Sequence, residues 1–134
     1  MGQHMDEILT RCPRRILVID DDKDIRDTLS ELLELEGFGV MQAQNGLEGF
    51  ALLESSERPC MILLDLMMPV MSGWEFLKEI RTERGANFEG IPVIVTSGAA
   101  DLAGLDHRFN CVVLQKPVDV GRLLDLAQQH CTSH

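Results

Sequence analysis

The chain has 134 residues, 45% of them hydrophobic and 25% charged, which suffices for one packed domain and is unlike a disordered composition. The formal net charge is −10, and a surface that acidic repels nucleic acid and anionic lipid, so direct nucleic-acid binding and membrane attachment are not expected. The longest apolar runs are far too short to cross a bilayer.

Residues 1–14 read as a tag scar or flexible lead, with no visible secretory signal, and residues 15–131 as the domain. Cys12, Cys60, Cys111 and Cys131 form no Cys-x-x-Cys pair, and nothing suggests a disulfide scaffold. Cys60 and Cys111 lie in or beside apolar runs and are expected to be small buried hydrophobes. A reducing cytoplasm is the compartment that follows. His4, His107, His130 and His134 have no metal-ligand spacing.

In chain order, residues 16–19 predict a first strand. Ile25, Leu29, Leu32 and Leu33 then mark one face of a helix, which Gly37 stops. Residues 40–43, mixed in polarity, predict an edge strand. Asn45-Gly46 signals a turn, and residues 47–53 a short amphipathic helix ended before Pro59. Residues 61–64 predict the third strand. Trp74, Leu77 and Ile80 line a helix that begins after Ser72-Gly73. Residues 93–95 and 111–114 predict the last two strands, and Leu123, Leu124 and Ala127 the last helix. Four of the five strand runs are almost continuously apolar, which fits a parallel sheet covered on both faces. The alternation of strands and helices predicts an α/β, doubly wound, five-stranded parallel sheet.

Function in such a fold collects at the carboxyl ends of the strands. The first run ends in Asp20-Asp21-Asp22, the third in Asp65, the fourth in Thr96-Ser97-Gly98 and the fifth in Gln115-Lys116-Pro117. Carboxylates brought together there repel one another unless a cation joins them. A hard divalent ion such as Mg²⁺ takes oxygen ligands and keeps waters, so carboxylates and a backbone carbonyl suit it. A carboxylate beside such an ion can act as a nucleophile on phosphorus, with Lys116 neutralising charge on the transferring group. The blander readings are that Asp22 is the N-cap of the first helix, that Thr96 points into packing, and that Lys116 or Asp65 taken singly is an ordinary surface or capping residue.

The stretches ILVIDDDKDIR, ILLDLMMPVMSGWEFLKEIR, IPVIVTSG and LQKP, in that order, resemble the receiver domain of two-component response regulators, chemotaxis-regulator-like phosphoacceptor domains. The resemblance implies the flavodoxin-like strand order 2-1-3-4-5. It implies Asp65 as phosphoacceptor, Asp21 as direct and Asp20 as water-mediated metal ligand, and the Met67 carbonyl as a further ligand. Ser97 becomes the hydroxyl that follows the phosphoryl group, Gly98 its small neighbour, and Lys116 the cation on a phosphoryl oxygen. Lys116-Pro117 is the bond often cis in the family. The implied cofactor is Mg²⁺, the partners a sensor histidine kinase or phosphotransfer protein and a downstream protein, and the setting cytoplasmic. The domain is then a signalling module that catalyses its own phosphorylation and dephosphorylation, not an enzyme on free substrate.

Two departures stand out. Val113 occupies the position three before the lysine, where the family often has an aromatic residue, and the chain contains no tyrosine. Residues 99–110 carry only a weak apolar period, so the switching change is expected in the backbone of residues 98–110. Competing readings are a haloacid-dehalogenase-like Mg²⁺-dependent phosphatase using the Asp-x-Asp of residues 20–22, a flavodoxin-like cofactor carrier, and a pseudo-receiver that only binds partners. The acidic loop after the first strand argues against the cofactor carrier, which needs a phosphate cradle there.

Overall fold

The computed structural model describes residues 15–55, 58–68, 70–81, 88, 90–98 and 111–131. The elements run β1 (Arg15–Ile19), α1 (Lys23–Leu35), β2 (Gly39–Ala43), α2 (Gly46–Ser55), β3 (Met61–Asp65), α3 (Gly73–Arg81), β4 (Val93–Ser97), β5 (Val112–Gln115) and α4 (Val120–Cys131). All strand pairs are parallel, in the order β2-β1-β3-β4-β5. Residues 1–14 and 99–110, on which the flexible lead and most of the expected switching segment fall, lie outside the described residues.

Strand alternation divides the core between the two faces. Leu17, Ile19, Ile62, Leu64, Val93 and Val95 point to the face covered by α2 and α3, where they meet Phe50, Leu53, Phe76, Leu77 and Ile80. Ile16, Val18, Met61, Leu63, Ile94 and Leu114 point to the face covered by α1 and α4, against Leu29, Leu33, Leu123 and Ala127. β1, β3 and β4 are therefore buried on both sides, which is why they read as unbroken apolar runs.

The helices start and stop where their local chemistry requires. Asp22 accepts from the Asp24 and Ile25 amides as the N-cap of α1. Gly37, at φ 94°, ends that helix. Its N–H donates to the Glu34 carbonyl while the Phe38 N–H reaches the Leu33 carbonyl, the Schellman pattern. At the head of α3, the Glu75 amide donates to Ser72 Oγ and the Ser72 amide to Glu75 Oε1, a reciprocal capping box.

Three expectations need correction. β5, the edge strand that the expected order makes it, is less buried than its apolar run suggests, with Leu114 alone buried. Ile25 stands 36% exposed on α1, so the buried stripe narrows to Leu29 and Leu33. Cys60 is not an isolated buried hydrophobe: it is half-buried and disulfide-bonded to Cys131. The two are separated by 71 positions, and only the packing of α4 back along the sheet brings them together. Cys111 is buried as expected.

Candidate functional site at the strand ends

The strand order reverses about β1, since β2 lies on one side of it and β3 on the other. The loops leaving β1 and β3 diverge there and open a crevice at the carboxyl ends. Asp20 follows β1 directly, and its N–H donates to the Ala43 carbonyl at 3.1 Å. Asp65 is the last residue of β3, and the Leu66 amide behind it bonds the Thr96 carbonyl. Both carboxylates are almost fully buried, at 2% and 3% exposure, whereas Asp21 is exposed.

One carboxylate oxygen from each of Asp20, Asp21 and Asp65 falls within 4.8 Å of the others. Lys116, brought in by β5, places Nζ 3.3 Å from Asp65 Oδ1 and 4.0 Å from Asp20 Oδ2. Its amide donates to the Ser97 carbonyl, which ties the lysine loop to the end of β4. The Lys116-Pro117 peptide bond is cis.

The electrostatics follow from burial. Desolvation is the main cause holding the Asp20 carboxyl above the ordinary aspartate range, opposed by the Asp22 amide that donates to Oδ1. Asp65 is likewise raised chiefly by burial, against the pull of Lys116 and of the Met67 amide. One ammonium thus faces two buried carboxylates with a third at the rim. The donors are hard oxygens carrying excess negative charge, a set that suits Mg²⁺ better than a soft metal.

The sequence-derived residues fall as follows. Asp20, Asp21, Asp65 and Lys116 come together. Ser97 is fully buried at the end of β4, next to Thr96, which is the register partner of Asp65. Met67 turns its side chain to solvent, 67% exposed, and its N–H toward Asp65. A Cβ built on Gly98 meets nothing within 4 Å, so among the described residues no crowding demands glycine there. Val113 is half-buried beside Val95 and packs on the α2–α3 side of the sheet.

Two contributors escaped the sequence reading. Arg26 Nη1 donates to the Asp20 carbonyl at 2.7 Å while Nε binds Gln42 Oε1, bracing the acidic loop against β2. Gly73 is the other, since a Cβ there would stand 2.6 Å from the Asp65 carbonyl oxygen and from Leu66 Cα. Its only sequence signal was its place at a helix start, which many glycines share.

Comparison with known proteins identifies the family and agrees with the fold. A family model described as response regulator receiver domain matches residues 16–128. The uncharacterized 14.6 kDa protein in the sodA1 3′ region of Leptolyngbya boryana is 40% identical over 118 residues, covering 87% of this chain and 88% of that protein. The transcriptional regulatory protein CpxR homolog of Haemophilus influenzae is 51% identical over 67 residues. That match covers 50% of this chain but 29% of the relative, so the chain corresponds to a minor part of that longer protein. Among solved structures, a response regulator receiver protein from Pseudomonas putida superposes with a TM-score of 0.77 at 31% identity, covering 87% of this chain and 96% of that one. Chemotaxis protein CheY4 of Vibrio cholerae gives 0.76 at 27% identity, covering 87% and 97%.

Proposed function

The chain belongs to the response regulator receiver family, and from that premise we propose that Asp65 accepts a phosphoryl group in a Mg²⁺-dependent transfer. The observation that carries the reading is the pairing of Asp65 with Lys116 at 3.3 Å inside the three-carboxylate cluster. An Asp65 carboxylate oxygen attacks phosphorus, the bond from phosphorus to the donor's leaving group breaks, and an acyl phosphate results. The donor is a histidine kinase, a phosphotransfer protein or a small acyl phosphate.

Asp20, Asp21, Asp65 and the Met67 carbonyl would hold the ion. Bound there, Mg²⁺ would draw negative charge from the phosphoryl oxygens. Lys116 Nζ, already beside Asp65, pairs with one of those oxygens and holds the group in line. Ser97 donates its hydroxyl to another, which couples phosphorylation to the end of β4 and so to a surface read by a downstream protein. Hydrolysis of the acyl phosphate at the same cluster resets the domain. Among the described residues no helix is long and apolar enough to cross a membrane. A cytoplasmic setting, where histidine kinases present their phosphoryl groups, is part of the same proposal.

A phosphatase of the haloacid-dehalogenase kind would instead use the carboxylate after the first strand, Asp20. Lys116 lies closer to Asp65 than to Asp20, which favours Asp65. The test is incubation with Mg²⁺ and acetyl phosphate, followed by intact mass measurement. One base-labile phosphoryl adduct is expected, absent without Mg²⁺ and absent in Asp65→Asn. An equal mass gain in Asp65→Asn would move the acceptor elsewhere.

A further inference from the structure

The disulfide lies at the opposite end of the sheet from the acidic cluster and plays no part in phosphoryl transfer. Cys60 immediately precedes β3, whose far end is Asp65, and Cys131 is the last residue of α4. Five strand residues separate the bond from the acceptor end, roughly 15 Å at strand rise. The Cα atoms stand 5.2 Å apart, within the range a disulfide spans without backbone movement.

Two observations indicate that this position has a place for the dithiol as well as for the disulfide. Cys60 Sγ lies 3.1 Å from the Arg15 carbonyl oxygen, so the reduced thiol has an acceptor in place. Cys131 is buried among Leu123, Ala127 and the α1–α4 side of the core, at 4% exposure, an environment that suits a neutral thiol. Their accessibility differs as well. Cys60 is half-buried, so it is the more accessible of the two to an incoming reagent, while Cys131 is buried.

We propose that Cys60 and Cys131 form a reversible redox pair, oxidised by a small-molecule disulfide of the glutathione class, that fastens the end of α4 to the foot of β3. The thiolate of Cys60 attacks one sulfur of the small disulfide. A mixed disulfide forms, and one small thiolate leaves. Cys131 gives its proton to that departing thiolate, attacks the Cys60 sulfur and expels the second small thiolate, which takes up the proton that Cys60 lost. Two protein thiols lose two electrons and two protons, the small disulfide becomes two thiols, and no other oxidant is required. In the oxidised form the last turn of α4 is anchored covalently. In the reduced form Leu123, Ala127 and the hydrogen bonds of the helix hold it, and its final turn opens more often.

The proposal is independent of the phosphoacceptor reading. The test equilibrates the full chain with mixtures of reduced and oxidised glutathione, quenches with acid, alkylates under denaturing conditions and measures intact mass. Two cysteines should pass from alkylated to protected as the mixture becomes oxidising, and peptide mapping should find Cys60 joined to Cys131. Amide exchange in residues 120–131 should slow at least tenfold on oxidation. Cys60→Ser keeps a donor for the Arg15 carbonyl, so it should fold, and its exchange should be indifferent to the redox mixture. A pair that never oxidises, that stays oxidised in millimolar reduced glutathione, or that links through Cys111 or Cys12 would overturn the proposal. Equal exchange in both redox states of the wild type would overturn the anchoring of α4.

Discussion

Replacing Asp20 by asparagine should stabilise the metal-free protein at neutral pH. The exchange keeps Oδ1 as acceptor for the Asp22 amide, at 2.9 Å in the wild type, and removes the charge, with an NH2 group in place of the Oδ2 that faces Lys116. Three Coulomb contributions change together, of which that of exposed Asp21 is the smallest and is screened by solvent. Repulsion from Asp65, whose oxygen lies within 4.8 Å, is worth ~3.5 kcal/mol at an effective dielectric of about 20. Attraction to Lys116 at 4.0 Å is worth ~4 kcal/mol on the same scale, less whatever solvent screens from a lysine that is 29% exposed. The two nearly cancel, and what remains is the cost of keeping a charged carboxylate at 2% exposure. The expected gain is about 1–2 kcal/mol, or a rise of roughly 0.5–1 M in the urea midpoint. The sign in pH follows from the raised Asp20 carboxyl. Above its folded-state pKa the wild type carries the full cost. As pH falls through that value toward the unfolded value near ~3.9, the folded protein takes up the proton first and the cost is relieved. Urea melts in EDTA at pH 7 and at pH 3 should therefore show an advantage for Asp20→Asn that is largest at pH 7 and absent at pH 3. Saturating Mg²⁺ at pH 7 should stabilise the wild type more than the variant. A variant no more stable than wild type at pH 7 in EDTA, or an advantage unchanged at pH 3, would refute the reasoning. Asp21 is exposed, so Asp21→Ala should weaken Mg²⁺ binding while moving metal-free stability by no more than about 0.5 kcal/mol.

Gly73→Ala should cost about 1–3 kcal/mol, because its Cβ would meet backbone atoms of Asp65 and Leu66 at 2.6 Å that cannot rotate away. The same displacement should slow phosphorylation by acetyl phosphate, and normal stability with normal rate would show that the loop relaxes freely. Asp22→Ala removes the acceptor for two amides at the head of α1 and should lower stability by about 1 kcal/mol. Asp22→Asn should recover most of that, as chemical denaturation of the three proteins will show. Lys116→Ala should abolish or strongly slow adduct formation in the mass assay while leaving Mg²⁺ affinity intact or raised, since the ammonium competes with the ion for the same carboxylates.

Sequence alone determined the order and kind of the elements, because each rests on local chemistry. β1, β3 and β4 are covered on both faces, so their apolar runs could hardly be anything but central strands of a parallel sheet. The caps at Asp22 and Gly37 involve residues within a few positions of one another. The acidic cluster was legible for a related reason: a parallel sheet carries every strand's carboxyl end to one side, so Asp20, Asp65 and Lys116 had to meet once the strands were placed. The tertiary structure decided what depends on distance across the chain. Burial, which sets the charge balance, separates Asp20 and Asp65 from exposed Asp21 although Asp20 and Asp21 are adjacent in sequence. The closeness of Gly73 to the Asp65 backbone depends on how α3 leaves the loop after β3. The degree of burial of β5 is another such case, since its run is apolar in sequence but only Leu114 is buried. The join between Cys60 and Cys131 spans 71 positions. Their spacing carries no signal of it, because it exists only where α4, returning along the sheet, ends beside the foot of β3.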